Sequence, residues 1–354
     1  MLATGSELAA EFSEIPGMEL VRLPSVTKLA DGTYIASDPA CSIEETINRR
    51  SSVLNRSVSQ FRPDIFIADK EPLGLHGELE PTLTALDSQV TKILGLRDIL
   101  DDREILRAEW NNRGVSGRIG DLYDEIWIYG PQWFHEPLEG LNLPEKVQHK
   151  CRYLGFLGSG RKAVESGPSG MGDLHILVTA GGGEDGAGLM ERVLAVCESG
   201  VKLERKLVLL LGPLIDVADR ERICSRAARF HNVEVVDFES DPTQLLEDAA
   251  AVVAMCGYNT FCEILEAKKP VLFVPREAPR KEQLIRATRA AELNAAELMR
   301  FEEAADTAEF ANRINGLIYR PSHSWSREFV FDGLDKLGAR VSELVAQRNL
   351  AAAQ

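Results

Sequence analysis

The chain has 354 residues, of which 44% are hydrophobic and 27% charged, the balance of a soluble globular protein with room for two domains. Its 55 acidic and 40 basic residues leave a formal charge of −15, which argues against general nucleic-acid binding, because that needs a basic face to displace counterions. No apolar run approaches the roughly 20 residues of a membrane span, and the N-terminus lacks the basic and apolar regions of a secretory signal.

In chain order, Met1 to Gly5 resembles the end of a strand and 18–23 forms another. Ile43, Ile47, Leu54, Val58 and Phe61 recur at helical spacing on one face, and Arg49, Arg50 and Arg56 are assigned to a solvated face. Strands follow at 64–68, 91–96 and 125–129. The stretch 158–172 is rich in glycine, serine and proline, the composition of a flexible connection. Beyond it, strands at 175–179, 207–211, 233–238, 251–255 and 271–274 alternate with helical patterns at 187–197, 220–230, 245–250 and 260–267. Continuous apolar strands between amphipathic helices predict a parallel sheet covered on both faces. The expected fold class is α/β, with two Rossmann-like doubly wound domains facing a cleft. Residues 1–158 form the first domain, 159–172 the linker and 173–320 the second. The segment 321–354 is helical, and its helix at about 337–347 belongs to neither pattern.

The six cysteines have no CxxC spacing and fall mostly in apolar segments, which predicts buried free thiols in a reducing cytoplasm. No Cys/His cluster has zinc-ligand spacing.

Three segments of the second half follow strands and precede helices, where open α/β sheets bind ligands. The first, TAGGGEDG at 179–186, lacks the lysine of a P-loop and the spacing of a dinucleotide fingerprint. Gly181, Gly182 and Gly183 let backbone N–H groups approach a phosphate at a helix start, and they equally serve a tight turn. Glu184 and Asp185 suit a phosphate site only if they point away and cap the helix. In the second, CGYNTFCE at 256–263, Thr260 and Glu263 have the form of a capping box. Alternatively, Asn259 and Thr260 meet a diphosphate while Glu263 accepts hydrogen bonds from a ribose diol. The third, VPREAPRKEQ at 274–283, places Arg276, Arg280 and Lys281 beside Glu282 and Gln283. It is either a ligand rim or a solvated helix start.

The order and spacing of these segments, with KPVLFVP at 269–275, resemble the donor-binding domain of GT-B glycosyltransferases, family 28 most of all, over about 175–299. The resemblance implies that Gly181, Gly182, Gly183, Asn259 and Thr260 face the diphosphate and Glu263 the ribose. It places Glu282 and Gln283 at the sugar hydroxyls and Phe238 with Glu239 around the base, and Gly257 and Arg276 complete the donor contacts. Uridine diphosphate is the family's usual carrier.

The first half resembles the acceptor domain only in part. The family opens with a strand, a glycine-rich loop often containing His, and a helix, and no such unit precedes Met1. The expectation is an N-terminally shortened domain whose strands expose apolar surface where a neighbour is missing. DKEPLGLH at 69–76 then offers Asp69 or Glu71 as a base for an acceptor hydroxyl, or else a turn with an acidic helix cap. His76, His135 and His323 have no assigned partner.

The expected activity is metal-independent transfer of a hexosyl group from a nucleotide-diphosphate sugar to a hydroxyl acceptor, either a small molecule, a glycan or a lipid-linked compound. The UDP-sugar donor is a substrate and no separate cofactor is expected. No nucleic-acid partner and no integral membrane segment are expected, and the location is cytoplasmic. A nucleotide-sugar 2-epimerase and a non-catalytic nucleotide-sugar binder are the competing functions. Transfer or hydrolysis, epimer formation, and binding without turnover separate the three.

Overall fold

The computed structural model describes residues 1–6, 9, 15–29, 32–158, 174–183, 185–239, 241–321 and 325–352. The connection expected at 159–172, Glu184 and His323 therefore lie outside the described residues. The chain divides into two compact units, Met1–Leu154 with Asp335–Gln354, and Gly155–Leu334.

In the N-terminal unit β1 (Leu2–Thr4) pairs in parallel with β2 (Leu20–Arg22), and β3 (Val26–Lys28) and β4 (Tyr34–Ala36) form an antiparallel pair. Helix α1 (Ile43–Phe61) opens on a capping box, with Ser42 N–H donating to Glu45 and Glu45 N–H donating to Ser42 Oγ. Ile47, Leu54 and Val58 turn inward, whereas Phe61 in the last turn stays exposed. Arg50 corrects the sequence expectation. Lying between 47 and 54 on the inner face, it is buried and grips Glu78 through Nε–Oε2 at 2.5 Å and Nη2–Oε1 at 2.9 Å. A guanidinium is tolerated there because a carboxylate neutralises it.

The main layer of this unit is a four-stranded parallel sheet of β5 (Ile65–Asp69), β6 (Thr91–Arg97), β7 (Glu125–Tyr129) and β8 (Cys151–Tyr153), in that spatial order. Between the strands run α2 (Glu80–Ala85), α3 (Arg103–Asn112), α4 (Val115–Leu122) and α5 (Glu145–Gln148). Leu94, Leu96, Ile126 and Ile128 pack with Trp110 and Tyr123. Among the described residues β5 pairs on one side only, with β6, and its Ile67 is 44% exposed.

The second unit carries a parallel sheet in the order β11-β10-β9-β12-β13-β14. In chain order its elements begin with β9 (His175–Thr179), α6 (Ala187–Glu198), β10 (Leu207–Leu210), α7 (Val217–Ala227), β11 (Val233–Val236) and α8 (Thr243–Glu247). They continue with β12 (Ala249–Ala254), α9 (Tyr258–Glu266), β13 (Val271–Phe273), α10 (Glu282–Glu292), β14 (Glu297–Leu298) and α11 (Thr307–Leu317). Ile176, Val178, Leu207, Leu209 and Val253 form one core with Leu189, Met190 and Val193 of α6. Leu177 and Val252 are as fully buried on the other face, which is why these strands read as unbroken apolar runs.

Several boundaries move from their expected places. α8 stops at Glu247 and β12 takes Ala249 onward, and α7 starts early because Asp216 accepts from the Ala218 N–H at 2.9 Å. The strand at 233 ends at Val236. β8, β14 and α11 are not among the expected elements, although α11 opens on an Asp306 cap and buries Phe310, Ala311, Ile314 and Leu317 at helical spacing.

The last helix, α12 (Gly333–Ala352), joins the first unit. Arg340 pairs with Glu125 of β7, and Arg348 donates to Gln89 O at 3.1 Å. Among the described residues no helix is long and apolar enough to cross a membrane. All six cysteines are free, Cys256 and Cys262 buried and the other four partly so.

Candidate functional site

After β9 the chain builds β10 and β11 on one side and then returns to place β12 on the other. Such a switch point leaves a crevice beyond the carboxyl ends of the two central strands. Their ends are joined by the Met255 N–H donating to Thr179 O at 3.2 Å. A cavity of about 250 Å³ opens there within the C-terminal unit, and Gly181, Gly182, Phe238, Glu239, Asn259, Thr260 and Glu263 are among its lining residues. Gly183, Gly257, Arg276, Glu282 and Gln283 are not.

The floor is a pair of meshed glycine turns. Gly181 has φ +69° and faces Thr260, whose Oγ1 would lie 2.5 Å from any added Cβ. Gly212, φ +91°, follows β10, and a Cβ there would run into the Gly181 carbonyl and stand 2.8 Å from the Gly182 carbonyl carbon. Leu214 N–H donates to Gly182 O at 2.9 Å, and Gly181 N–H donates to Thr179 Oγ1 at 3.1 Å. Gly183 is buried in the mesh, whereas Gly182 is exposed and its Cβ position is open to 3.5 Å. The glycines thus serve the tight turn, and Gly181 and Gly182 also present backbone to the cavity.

The capping alternative for Thr260 and Glu263 fails. α9 begins at Tyr258 with Gly257 as its N-cap, and no side chain caps it. Thr260 therefore lies inside the first turn and Glu263 one turn later on the same face, and both line the cavity. Asn259 is exposed at the second helical position. α10 likewise starts without a side-chain cap. Uncapped first turns leave backbone N–H donors and a partial positive charge, which suit an anion.

Arg276 ties the third motif to the first. Its Nε stands 2.8 Å from Asp185 Oδ2, a terminal nitrogen donates to Glu282 Oε1 at 2.6 Å, and the other donates to Arg280 O at 2.9 Å. Asp185 therefore serves Arg276 rather than capping α6, whose N-cap Gly186 has no side-chain bond. The solvated-start alternative does not describe Glu282 and Gln283. Among the described residues Glu282 Oε2 and Gln283 Oε1 are buried acceptors without a hydrogen-bond partner, an arrangement native proteins seldom leave uncompensated.

Sequence reasoning missed Arg286. It is 1% exposed, donates to Cys256 O at 2.8 Å and lies over the Tyr258 ring at 5.7 Å, which anchors α10 to the start of α9. Its signal was periodicity, since Gln283, Arg286, Ala287 and Ala290 make the buried stripe of α10.

In the N-terminal unit Asp69 ends β5 at the carboxyl rim of its sheet. Asp69 is itself exposed, yet the protein packed around its carboxyl raises it above the usual carboxylate range, against the opposing pull of Arg97 and Lys70. Glu71 differs, because Arg113 holds its carboxylate at 3.0 Å. His76 sits at φ +49° in a short turn.

Residues 175–318 match the model of the glycosyltransferase family 28 C-terminal domain. An "uncharacterized glycosyltransferase" of Methanosarcina mazei is 26% identical over 308 residues, covering 78% of this chain and 74% of that protein. Among solved structures, MurG of Acinetobacter baumannii superposes with a TM-score of 0.56 at 13% identity, over 96% of this chain and 90% of that one. The calicheamicin glycosyltransferase CalG4 also gives 0.56, at 15% identity over 97% and 89%. Residues 175–318 are thus similar to a family 28 C-terminal domain, and the fold of the chain is that of the GT-B glycosyltransferases.

Proposed function

We propose that this glycosyltransferase moves a hexosyl group from a UDP-sugar to a hydroxyl acceptor without help from a metal ion. The observation that carries the donor reading is the switch-point cavity. It brings the glycine turn, the uncapped start of α9 and the Glu263 carboxylate together in one unit. A diphosphate suits the backbone N–H groups, and a carboxylate suits the two hydroxyls of a ribose. Glu282 Oε2 and Gln283 Oε1, buried and unpartnered, would gain sugar hydroxyls as donors.

The acceptor oxygen attacks the anomeric carbon, the bond from that carbon to the phosphate oxygen breaks, and the diphosphate leaves with the electron pair. The uncapped N-terminus of α9 offsets its charge. The acceptor proton passes to Asp69, which is preferred to Glu71 because Arg113 already neutralises the latter. The acceptor is a small-molecule, glycan or lipid-linked hydroxyl, and the six free cysteines suit a reducing cytoplasm.

The test is a thermal-shift panel of UDP-, GDP- and TDP-sugars, followed by assay of the stabilising donor for transfer or hydrolysis. UDP-sugars are expected to stabilise the protein by mass action, and Glu263→Ala to remove the shift while circular dichroism is unchanged. Stabilisation by no UDP-sugar, or an unchanged shift in Glu263→Ala, overturns the donor assignment.

A further inference from the structure

Asp69 has a neighbour that the sequence did not single out. In the parallel register Asp69 of β5 stands opposite Gly95 of β6, and two residues further along Arg97 stands opposite Tyr129 of β7. Side chains two apart share a face, so Asp69, Arg97 and Tyr129 all project from the same side of the sheet. Gly95 leaves its place on that face bare, and Tyr129 fills it. A Cβ on Gly95 would run into the phenol hydroxyl and stand 2.7 Å from the ring Cζ. Adjacent strands lie about 4.8 Å apart, so the ring leans across β6 into the column beside Asp69.

On the other flank the face is open: Ile67, two residues before Asp69, is 44% exposed, and Asp69 is itself exposed, so any shielding of its carboxylate is one-sided. Tyr129 itself is buried at 8% exposure, and its hydroxyl makes no hydrogen bond to the protein among the described residues. We propose that Tyr129 is the positioning residue of the Asp69 site, its ring filling the face above Gly95 and walling the carboxylate from water on the β6 side.

The electrostatics agree with that placement. Burial first, then the Asp69 charge, pushes the Tyr129 phenol up to about 12, with Arg97 opposing. The groups acting on Asp69 are Lys70 beside it and Arg97 from β6. Asp98 projects from the opposite face, where it accepts from the Ile99 N–H at 2.8 Å. The inference deepens the proposed function, because it rests on Asp69 as the base, but its test needs no substrate.

In full-length protein carrying ¹³C-labelled aspartate, with Asp69→Asn used to assign the signal, Tyr129→Ala is expected to lower the Asp69 titration midpoint by about one pH unit as water enters. Gly95→Ala displaces the ring without altering either functional group and is expected to shift the midpoint the same way. Tyr129→Phe keeps the wall and is expected to leave the midpoint in place. An unchanged midpoint in both Tyr129→Ala and Gly95→Ala overturns the proposal. Should those variants not fold, Asp69→Asn supplies the reciprocal measurement, in which the ultraviolet titration of the Tyr129 phenol moves down. An unmoved phenol sinks the proposal equally. Full transfer activity in Asp69→Asn would instead refute Asp69 as the base and leave the titration result standing.

Discussion

The two units place candidate groups at the same kind of address, beyond the carboxyl ends of parallel strands, but hold them by different means. In the C-terminal unit the site is mostly main chain. Glycine turns after β9 and β10 mesh backbone against backbone, and α9 presents an uncapped first turn. In the N-terminal unit the corresponding rim is held by side chains, with Glu71 on Arg113 and Tyr129 over Gly95, and at the opposite end of the sheet Glu125 pairs with Arg340. A backbone-built site resists added volume poorly and changes of charge well. The side-chain-built rim has the opposite sensitivity.

The strongest break in this contrast is Gly212→Ala. A Cβ at φ +91° meets two carbonyl groups that cannot turn away, so urea denaturation is expected to show a loss on the order of 3 kcal/mol, together with loss of nucleotide binding. Gly182→Ala, in the same mesh but with open space at 3.5 Å, is expected to stay within about 0.5 kcal/mol. Equal losses in the two variants would show that the meshing does not set the tolerance of this turn.

Next comes the charge-held unit. Arg340→Met is expected to cost roughly 2 kcal/mol at neutral pH, moderated because Arg152 still stands 2.9 Å from Glu125. Burial alone would raise the Glu125 carboxyl, but Arg340, the Trp127 indole and Arg152 together hold it below its ordinary value. The stability gained from this depressed group is present above the unfolded value of 4.5 and is lost as pH falls through the folded one. Melting curves of wild type and Arg340→Met should therefore converge on acidification. A gap that persists or widens in acid rules out this account.

A smaller effect is expected from Thr260→Val, which keeps the shape of the side chain and removes its hydroxyl. Calorimetric titration with UDP should weaken by up to about 10-fold, with the melting temperature little changed. Affinity equal to wild type would mean that the hydroxyl meets no phosphate.

The smallest effect concerns Asp69. Its carboxyl is raised in the folded state, so ionising it opposes folding. Stability is full below the unfolded value of 3.8 and declines as pH rises through the folded one. Asp69→Asn should then melt slightly higher than wild type at pH 7 and indistinguishably at pH 3. A lower melting temperature at pH 7 contradicts the desolvation of this carboxyl.

Much of the C-terminal unit was legible because its signals are local. Apolar runs such as 175–179 and 207–210 mark strands buried on both faces, and glycines between strand and helix mark turns that need positive φ. The candidate residues from Gly181 to Glu263 lie within short motifs whose positions on the strand ends follow from chain order alone. The helix starts were less legible. TxxE suggested a cap at Thr260, but the real start at Tyr258 depends on how Gly257 leaves β12, which the local pattern does not contain.

By itself, the sequence determined the alternation of strand and helix in the second half, the two-unit organisation, and the resemblance to family 28 carried by three motifs. Tertiary structure alone decided that α12 belongs to the N-terminal unit, that Arg50 and Arg286 are buried, and that Tyr129 leans over Gly95 of β6. The reason is range. Periodicity and turn chemistry act over a few residues, whereas a buried charge or a leaning ring is fixed by partners far away in sequence, as Arg340 is by Glu125 at a separation of 215 residues.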